Sequence, residues 1–273
     1  FDLMPRRSLF ELAVKQYGTL GSGNHFLEVH KDQADRVWVV VHSGSRGVGN
    51  RLAVHHIKRA IRDCQKWFVE LEDPDLAYIP DGTSHFGSYL ADVNWAQDYA
   101  WNNRRQMMRV ALAAMGKAFP GVSWDDAYLT EIESTESFVH CHHNYLQREH
   151  HMGQNVWVTR KGAVFAGQGA WSVLPGSMGT DTYIVRGLGN AASFASAPHG
   201  AGRRLSRTRA RKELSLDEMC GFMADRVWVV DDADALLDEH PLAYKDVLQV
   251  LEDAADLVEP VHTLTPVLNY KGL

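Results

Sequence analysis

The chain has 273 residues, of which 45% are hydrophobic and 23% are charged, as in an ordinary folded globular protein. Its net charge of −6 argues against a protein that coats nucleic acid non-specifically, although it leaves room for a local basic site. Three widely spaced cysteines, and no apolar run near the roughly 20 residues that cross a bilayer, predict a cytoplasmic protein with no disulfide framework and no membrane partner.

The beginning of the chain predicts a strand, a glycine-rich turn and a helix. The first residue is not Met and no apolar core follows the first arginines, so we expect no signal peptide and a start inside a longer protein. Residues 36–42 form an apolar, β-branched run that predicts a buried strand ending at His42. Residues 43–49 predict a turn, after which Asn50 is expected to cap a helix running to about Glu70. The free N–H groups of such a helix start favour an anion site.

The rest of the chain mixes helices and strands. We expect a helix over 87–117 that Pro120-Gly121 ends, a β-hairpin over 155–166 around Lys161-Gly162, a strand over 183–185, and helices over 215–225 and 241–258. This mixture has no regular βαβ alternation, which disfavours a doubly wound sheet. The sequence therefore predicts an α+β fold, with residues 1–273 in a single domain.

Charge is distributed unevenly along the C-terminal third. Residues 186–212 carry seven basic residues and no acid, whereas residues 231–259 carry ten acids and one base. His199 lies inside the basic stretch, between small residues and arginines that suit phosphate oxygens. The stretch alone is equally compatible with phosphate chemistry and with a mobile basic loop. The acidic stretch predicts an exposed helical surface.

Four histidines stand at predicted element ends beside small or amide side chains, namely His25, His42, His143 and His199. Imidazoles that converge from separate strand ends are ligands suited to manganese, iron or zinc. The HCHHN sequence around His143 matches neither HExxH nor a zinc finger, so His143 is equally compatible with a structural role in a turn.

Four loops rich in glycine and serine are candidates for phosphate binding. They cover residues 18–24, 43–49, 175–180 and 199–204. The chain contains no Walker A motif and no complete GxGxxG, so a nucleotide would have to be held by another device.

Several uncommon motifs occur together in a fixed order, namely GTLGSGNHFLE, HSGSRGVGN, HCHHNY, VTRKGAV, PGSMGT, IVRGLGN, SAPHGAGRR and AYKDV, with a Lys-Gly pair near the end. In this respect the chain resembles the RtcB-type RNA ligases, from about Gly18 to Gly272. The resemblance implies mixed sheets with surrounding helices around a central metal and GTP cleft. It also implies a ligase, dependent on GTP and Mn²⁺, that joins an RNA 3'-phosphate or 2',3'-cyclic phosphate to a 5'-hydroxyl in tRNA splicing or RNA repair.

The resemblance also implies roles for individual residues. His199 would carry GMP, and His25, His42 and His143 would bind metal. Contacts to GTP would come from Asn24, Glu28, Ser177, Gly179, Gly200, Gly202, Arg203, Tyr244 and Lys271. Arg46 is the candidate for an RNA terminal phosphate. RNA and GTP are the expected partners, and the need for an accessory activating protein is left open.

One family feature is missing from these residues. The family's Asp-x-Gly-Cys-Gly motif, which supplies two further manganese ligands upstream of GTLG, does not occur in this sequence. We therefore expect weak manganese binding and little ligase activity from these residues alone. Two alternatives remain, namely an inactive homologue that binds GTP or RNA ends, and a metal-dependent RNA phosphoesterase.

Overall fold

The computed structural model describes residues 6–119, 126–133, 135 and 137–272. In this part of the chain the α-helices are α1 (Arg6–Gln16), α2 (Arg46–Lys66), α3 (Ser84–Ala118), α4 (Asp126–Ile132), α5 (Arg207–Glu213), α6 (Leu216–Phe222), α7 (Ala233–Leu236) and α8 (Val247–Asp253). The strands are β1 (Phe26–Asp32), β2 (Val37–His42), β3 (Asn144–His151), β4 (Gln154–Lys161), β5 (Ala163–Phe165), β6 (Trp171–Pro175), β7 (Thr182–Gly187), β8 (Ser196–Pro198) and β9 (Val258–Lys271). The predicted α+β class is confirmed.

The chain divides into two compact units. Unit 1 consists of residues 1–19 and 43–106, and unit 2 consists of residues 20–42 and 107–273. The single domain over residues 1–273 stays a prediction. None of the helices in the described residues combines the length and apolarity that a membrane span requires.

Unit 1 is helical, and α2 shows how its sequence directs packing. The buried residues of α2 recur at multiples of four positions and form one stripe, namely Val48, His56, Ala60 and Cys64. Within this stripe His56 contacts two side chains of α3. Its Nε2 donates to the Asp92 carboxylate at 2.8 Å, and its Nδ1 lies 3.2 Å from Nε2 of His85. Polar groups buried between the two helices are therefore hydrogen-bonded to each other.

The predicted start of α2 was wrong. The helix begins at Arg46 after the N-cap residue Ser45, so Asn50 lies inside it and does not cap it. The backbone N–H of Gly47 donates to the Gln16 side chain at 3.0 Å, which occupies one of the N–H groups expected to attract an anion. The long helix expected over residues 87–117 is confirmed as α3, and Pro120-Gly121 lie outside the described residues.

Unit 2 is built on a five-stranded antiparallel sheet with the order β2-β1-β9-β7-β6. The strand predicted over residues 183–185 is confirmed as β7. The strand predicted to end at His42 is confirmed as β2, but its predicted burial was wrong, because β2 lies at the edge of the sheet and its residues are exposed or half-buried. The last strand along the chain, β9, lies in the middle of the sheet between β1 and β7. Residues near both ends of the sequence therefore become neighbours in space.

Two short ribbons accompany this sheet, and they correct the hairpin predicted over residues 155–166. Strand β4 pairs with β3, and β5 pairs with β8, so β4 and β5 are not partners. The hairpin turn lies at Met152 and Gly153, which have φ values of 51° and 78°, as a tight turn between antiparallel strands requires. Gly162 instead connects one ribbon to the other.

The helix predicted over residues 241–258 was too long. Only Val247–Asp253 is α-helical, because the Asp246 side chain accepts from the Leu248 N–H and caps a new helix start. Pro241–Ala243 form a 3₁₀ turn, and Val258 already begins β9. The helix expected over residues 215–225 is confirmed in its first part as α6.

Candidate functional site

The structure brings the four singled-out histidines of unit 2 together. His25 directly precedes β1 and His42 ends β2, where the two strands pair Phe26 with His42. The ring centroids are separated by 5.8 Å for His25 and His42, 5.1 Å for His42 and His143, and 4.6 Å for His143 and His199. Four imidazoles from four chain segments therefore form one continuous cluster, as the sequence predicts.

The chemistry of this cluster fits a borderline metal ion. Burial lowers the pKa of His42 well below its ordinary value, and the neighbouring imidazoles of His143, His25 and His199 lower it further. Neutral imidazoles keep the lone pairs that bind metals. The rings of His42 and His143 are nonetheless stacked, with an interplanar angle of 18°. Within the described ranges, no group of three or more His, Cys, Asp or Glu side chains is arranged to hold a metal ion.

Gly162 fixes the orientation of His199. The Gly162 carbonyl lies 2.7 Å from Nδ1 of His199, and because a carbonyl only accepts, Nδ1 must carry the proton. The lone pair of the neutral ring is then on Nε2. Burial lowers the pKa of His199, although the bond to Gly162 opposes this shift. His199 is therefore a neutral imidazole with one nitrogen held and the other available as a nucleophile.

The same glycine also holds His143. Its N–H donates to the His143 carbonyl at 2.8 Å, so Gly162 joins the chain segments of two cluster histidines. Its φ of 70° lies in the left-handed region that favours glycine. The sequence indicates a turn at this position, but the two histidines that depend on it are distant along the chain.

The loop between β6 and β7 lies against the segment that follows His199. The Ala201 N–H donates to the Pro175 carbonyl at 2.9 Å. A Cβ atom at Gly200 would lie only 2.9 Å from the same carbonyl, so a larger residue would separate the two loops. In the first loop the hydroxyls of Ser177 and Thr180 are 2.9 Å apart. Two of the predicted phosphate loops are thus in contact.

Arg203, Tyr244 and Lys271 lie in one polar network around Glu239. Arg203 Nη1 donates to Glu239 at 3.2 Å and to the Tyr244 hydroxyl at 3.3 Å. The Tyr244 hydroxyl donates to Glu239. Lys271 Nζ lies 3.3 Å from Glu239 and 5.5 Å from the centre of the Phe26 ring, which itself stacks on His42. Three of the residues that the resemblance assigns to GTP contacts are thereby linked to the histidine cluster.

This network corrects the interpretation of the charged stretches. Asp238 and Glu239 are buried, whereas the sequence predicts an exposed acidic surface. Asp238 accepts from Arg207 at 2.6 Å and also pairs with Arg211. Three arginines of the basic stretch are therefore paired with these two carboxylates, and Arg186 and Arg209 pair with Glu259 and Glu213. The stretch is not a freely charged loop. The count of charges shows both stretches, but not their pairing.

Glu28 is buried and already has hydrogen-bond partners within the protein. It is 2% exposed, with one carboxylate oxygen accepting from Asn269 and the other 2.8 Å from Nε2 of His30. Each oxygen still has a second lone pair, so the carboxylate retains acceptor capacity. Asn24 is exposed in the turn before β1, and Gly202 adopts a φ of 70° beside Arg203.

Arg46 belongs to unit 1 and stands at the start of α2 with a φ of 58°. Its Nε donates to the Thr19 hydroxyl at 3.2 Å. Asn103, which is 0% exposed, accepts from the Gly18 N–H at 2.7 Å and donates to the Thr19 carbonyl at 3.1 Å. Asn103 therefore holds this glycine loop. No sequence pattern indicates this role, because Asn103 is a single asparagine inside a long helix.

Comparison with known proteins places these observations in a family. A model of the family described as "tRNA-splicing ligase RtcB" matches residues 6–272. The RNA-splicing ligase RtcB of Escherichia coli K12 is 43% identical over 258 residues, which cover 94% of this chain and 62% of that protein. The tRNA-splicing ligase RtcB of Pyrobaculum aerophilum is 32% identical over 277 residues, which cover 88% of this chain and 56% of that protein. The chain thus spans less than two thirds of the length of these relatives.

Proposed function

Because the chain belongs to the RtcB family, we propose that it acts in RNA sealing, with His199 as the residue that carries GMP. The ends to be joined are an RNA 3'-phosphate, or a 2',3'-cyclic phosphate after hydrolysis, and a 5'-hydroxyl. Such ends arise in tRNA splicing and in broken RNA. A cytoplasmic setting fits the three cysteines, which are all among the described residues and form no disulfide.

The bond between His199 and Gly162 is the observation that carries this proposal. It commits the Nδ1 proton to a carbonyl and leaves Nε2 as the nucleophilic nitrogen. Nε2 attacks the α-phosphorus of GTP, a P–N bond forms, and pyrophosphate leaves. An oxygen of the RNA 3'-phosphate then attacks this phosphorus and breaks the P–N bond. The RNA 5'-hydroxyl finally attacks the RNA phosphorus, loses its proton and displaces GMP.

The remaining roles belong to the same proposal. Manganese bound by His25, His42 and His143 would supply positive charge near the phosphates. We assign the nucleotide contacts to Asn24, Glu28, Ser177, Gly179, Gly200, Gly202, Arg203, Tyr244 and Lys271. Arg46 would bind the RNA terminal phosphate, for which a guanidinium is well suited.

Labelling with GTP tests the proposal. The chain is incubated with α-³²P-GTP and millimolar MnCl₂, and protein-bound label is measured after denaturing electrophoresis. We expect label on the wild-type chain and none on His199→Ala. The matched control is His150→Ala, since His150 is an exposed histidine of β3 bonded to Asn155, and this variant should label like wild type.

The other outcomes separate the alternatives. Label that persists in His199→Ala contradicts the assignment of the nucleophile. Saturable GTP binding without any label favours an inactive binding homologue. Hydrolysis of an RNA end in the absence of GTP favours a metal-dependent phosphoesterase.

A further inference from the structure

The carboxylate of Glu239 is the meeting point of four donors from separate parts of the sequence. It is 1% exposed, accepts hydrogen bonds from Arg203, Lys271 and the Tyr244 hydroxyl, and forms an ion pair with Arg207 at 2.9 Å. Burial raises its pKa, but Lys271, Tyr244 and the two arginines lower it by more, so the group is ionised. Neither the charge count nor the family resemblance singles out this residue.

The charges around Glu239 do not cancel. Asp238 and Glu239 face four cations, namely Arg203, Arg207, Arg211 and Lys271. Two carboxylates therefore orient four positive side chains, and this group of six side chains has a net positive charge. Such a cluster is suited to a ligand that brings electronegative atoms.

Glu239 determines what Tyr244 offers to a ligand. Because the Tyr244 hydroxyl donates its only proton to Glu239, its oxygen is left as an acceptor, and Arg203 already uses one lone pair. Burial and the adjacent Glu239 raise the pKa of Tyr244, so the phenol stays protonated. Tyr244 can thus present its ring face and its remaining lone pair, but no hydrogen-bond donor.

Glu239 also determines the direction of Lys271. One ammonium proton is directed to Glu239, and the ammonium group lies over the ring of Phe26. The other two protons remain available as donors. If the six-position of a purine faces Lys271, the carbonyl that guanine carries there accepts a hydrogen bond from the ammonium group. Adenine places an amino group there and would oppose donor with donor.

We infer that Glu239 is a positioning residue for the nucleotide base, which fixes Lys271 and Tyr244 so that the site prefers guanine to adenine. This inference rests on the proposed function, because it assumes that GTP is the nucleotide bound. Glu239 itself is covered by its four donors and acts through them. Its removal should therefore change base selectivity more than the general attraction of phosphates.

The test measures the dissociation constants of GTP and ATP for the 273-residue chain by isothermal titration calorimetry. Glu239→Gln keeps the shape of the side chain but removes its charge. We expect the ratio of the ATP constant to the GTP constant to fall about tenfold, equivalent to about 1.4 kcal/mol of discrimination. Glu213→Gln is the control, because Glu213 pairs with Arg209 on the exposed side of α5 and should leave the ratio unchanged.

A second comparison separates positioning from general support of the fold. If Glu239 acts through Lys271, adding Glu239→Gln to Lys271→Met should lower the ratio no further than Lys271→Met alone. A folded Glu239→Gln variant with a ratio within twofold of wild type would overturn the inference, as would additive effects. If Glu239→Gln fails to fold, Glu239→Asp replaces it, because this variant keeps the charge and shortens the side chain. It should lower the ratio of the ATP constant to the GTP constant several-fold. An unchanged ratio would contradict the positioning role of Glu239. A wild-type chain that binds neither nucleotide instead refutes the proposed function, and with it this inference.

Discussion

At the scale of residues, the geometry of the candidate site depends on single atoms that the sequence does not reveal. His199 is singled out by its small and basic neighbours, and its place in the histidine cluster is confirmed. The tautomer of His199 is set by the Gly162 carbonyl, 37 positions away along the chain. No local pattern connects these two residues, because the connection exists only after β5 has paired with β8.

Substituting Gly162 should separate backbone strain from catalytic geometry. Gly162→Ala forces an L-residue into φ of 70°, which should cost about 1–2 kcal/mol of stability and turn the carbonyl that holds His199. Gly153→Ala is the matched control, since Gly153 has φ of 78° and no atom within 4 Å of its added Cβ. We expect similar falls in melting temperature for both variants, but reduced GMP labelling only for Gly162→Ala. Equal labelling of the two variants would contradict the role of this carbonyl.

At the scale of elements, the sequence predicts several helices and strands correctly, but not where they end or which strands pair. The apolar run of β2 and the long periodic stretch of α3 are both confirmed. The start of α2 and the length of α8 were wrong. The Asp246 side chain caps the start of α8, whereas α2 begins after Ser45 without a side-chain capping bond. Capping depends on local backbone conformation, which several Ser, Asp and Asn residues in a loop can satisfy equally well.

The turn between β1 and β2 should make stability dependent on pH. The Asp32 carboxylate accepts from the N–H groups of Ala34 and Arg36 and from the side chains of Arg36 and Trp38. Burial raises its pKa, but these bonds outweigh burial and hold the pKa well below the ordinary value of 3.8. The unfolded chain therefore takes up the proton first. The stabilisation is complete above the unfolded pKa and is lost as the pH falls below it through the folded pKa.

Asp32→Asn should lower the free energy of unfolding by about 1–3 kcal/mol at pH 7, as expected for a charged buried acceptor. The difference from wild type should shrink as the pH falls from 5 towards 2. Urea unfolding at several pH values measures it. Asp35→Asn changes the same charge in the same turn at an exposed side chain, so it should have little effect. A difference for Asp32→Asn that does not vary with pH would contradict this account.

At the scale of the whole molecule, composition predicts the class of protein, but not how its charges are compensated. The net charge of −6 is compatible with a basic site, and three arginines of the basic stretch are paired with only two acids further along the chain, Asp238 and Glu239. The ordered motifs, by contrast, predict family membership over nearly the whole length. Motifs succeed here because they record residue identity in order, whereas a charge count records only sums.

The metal capacity of the chain is also a property of the whole. Three imidazole rings, those of His25, His42 and His143, lie close together, but the described residues contain no group of three or more side chains arranged to hold a metal ion. We expect GMP labelling to rise with MnCl₂ over the millimolar range and to vanish on adding excess EDTA. Half-maximal labelling at low micromolar Mn²⁺ would show that these residues hold the ion more strongly than their arrangement indicates. His42→Ala should weaken the response, whereas His150→Ala should leave it unchanged.

The central position of β9 has a consequence for the order of events during synthesis. Phe26 and Lys271 are paired in the sheet, although almost the entire chain separates them. While the ribosome is still translating residues 43–257, β1 has only β2 as a neighbour, and Lys271 does not yet exist. A nascent chain therefore cannot assemble the complete polar network around Glu239 early. The contacts of Lys271 with Glu239 and Phe26 therefore form only after residues 258–271 have been synthesised and β9 has inserted between β1 and β7.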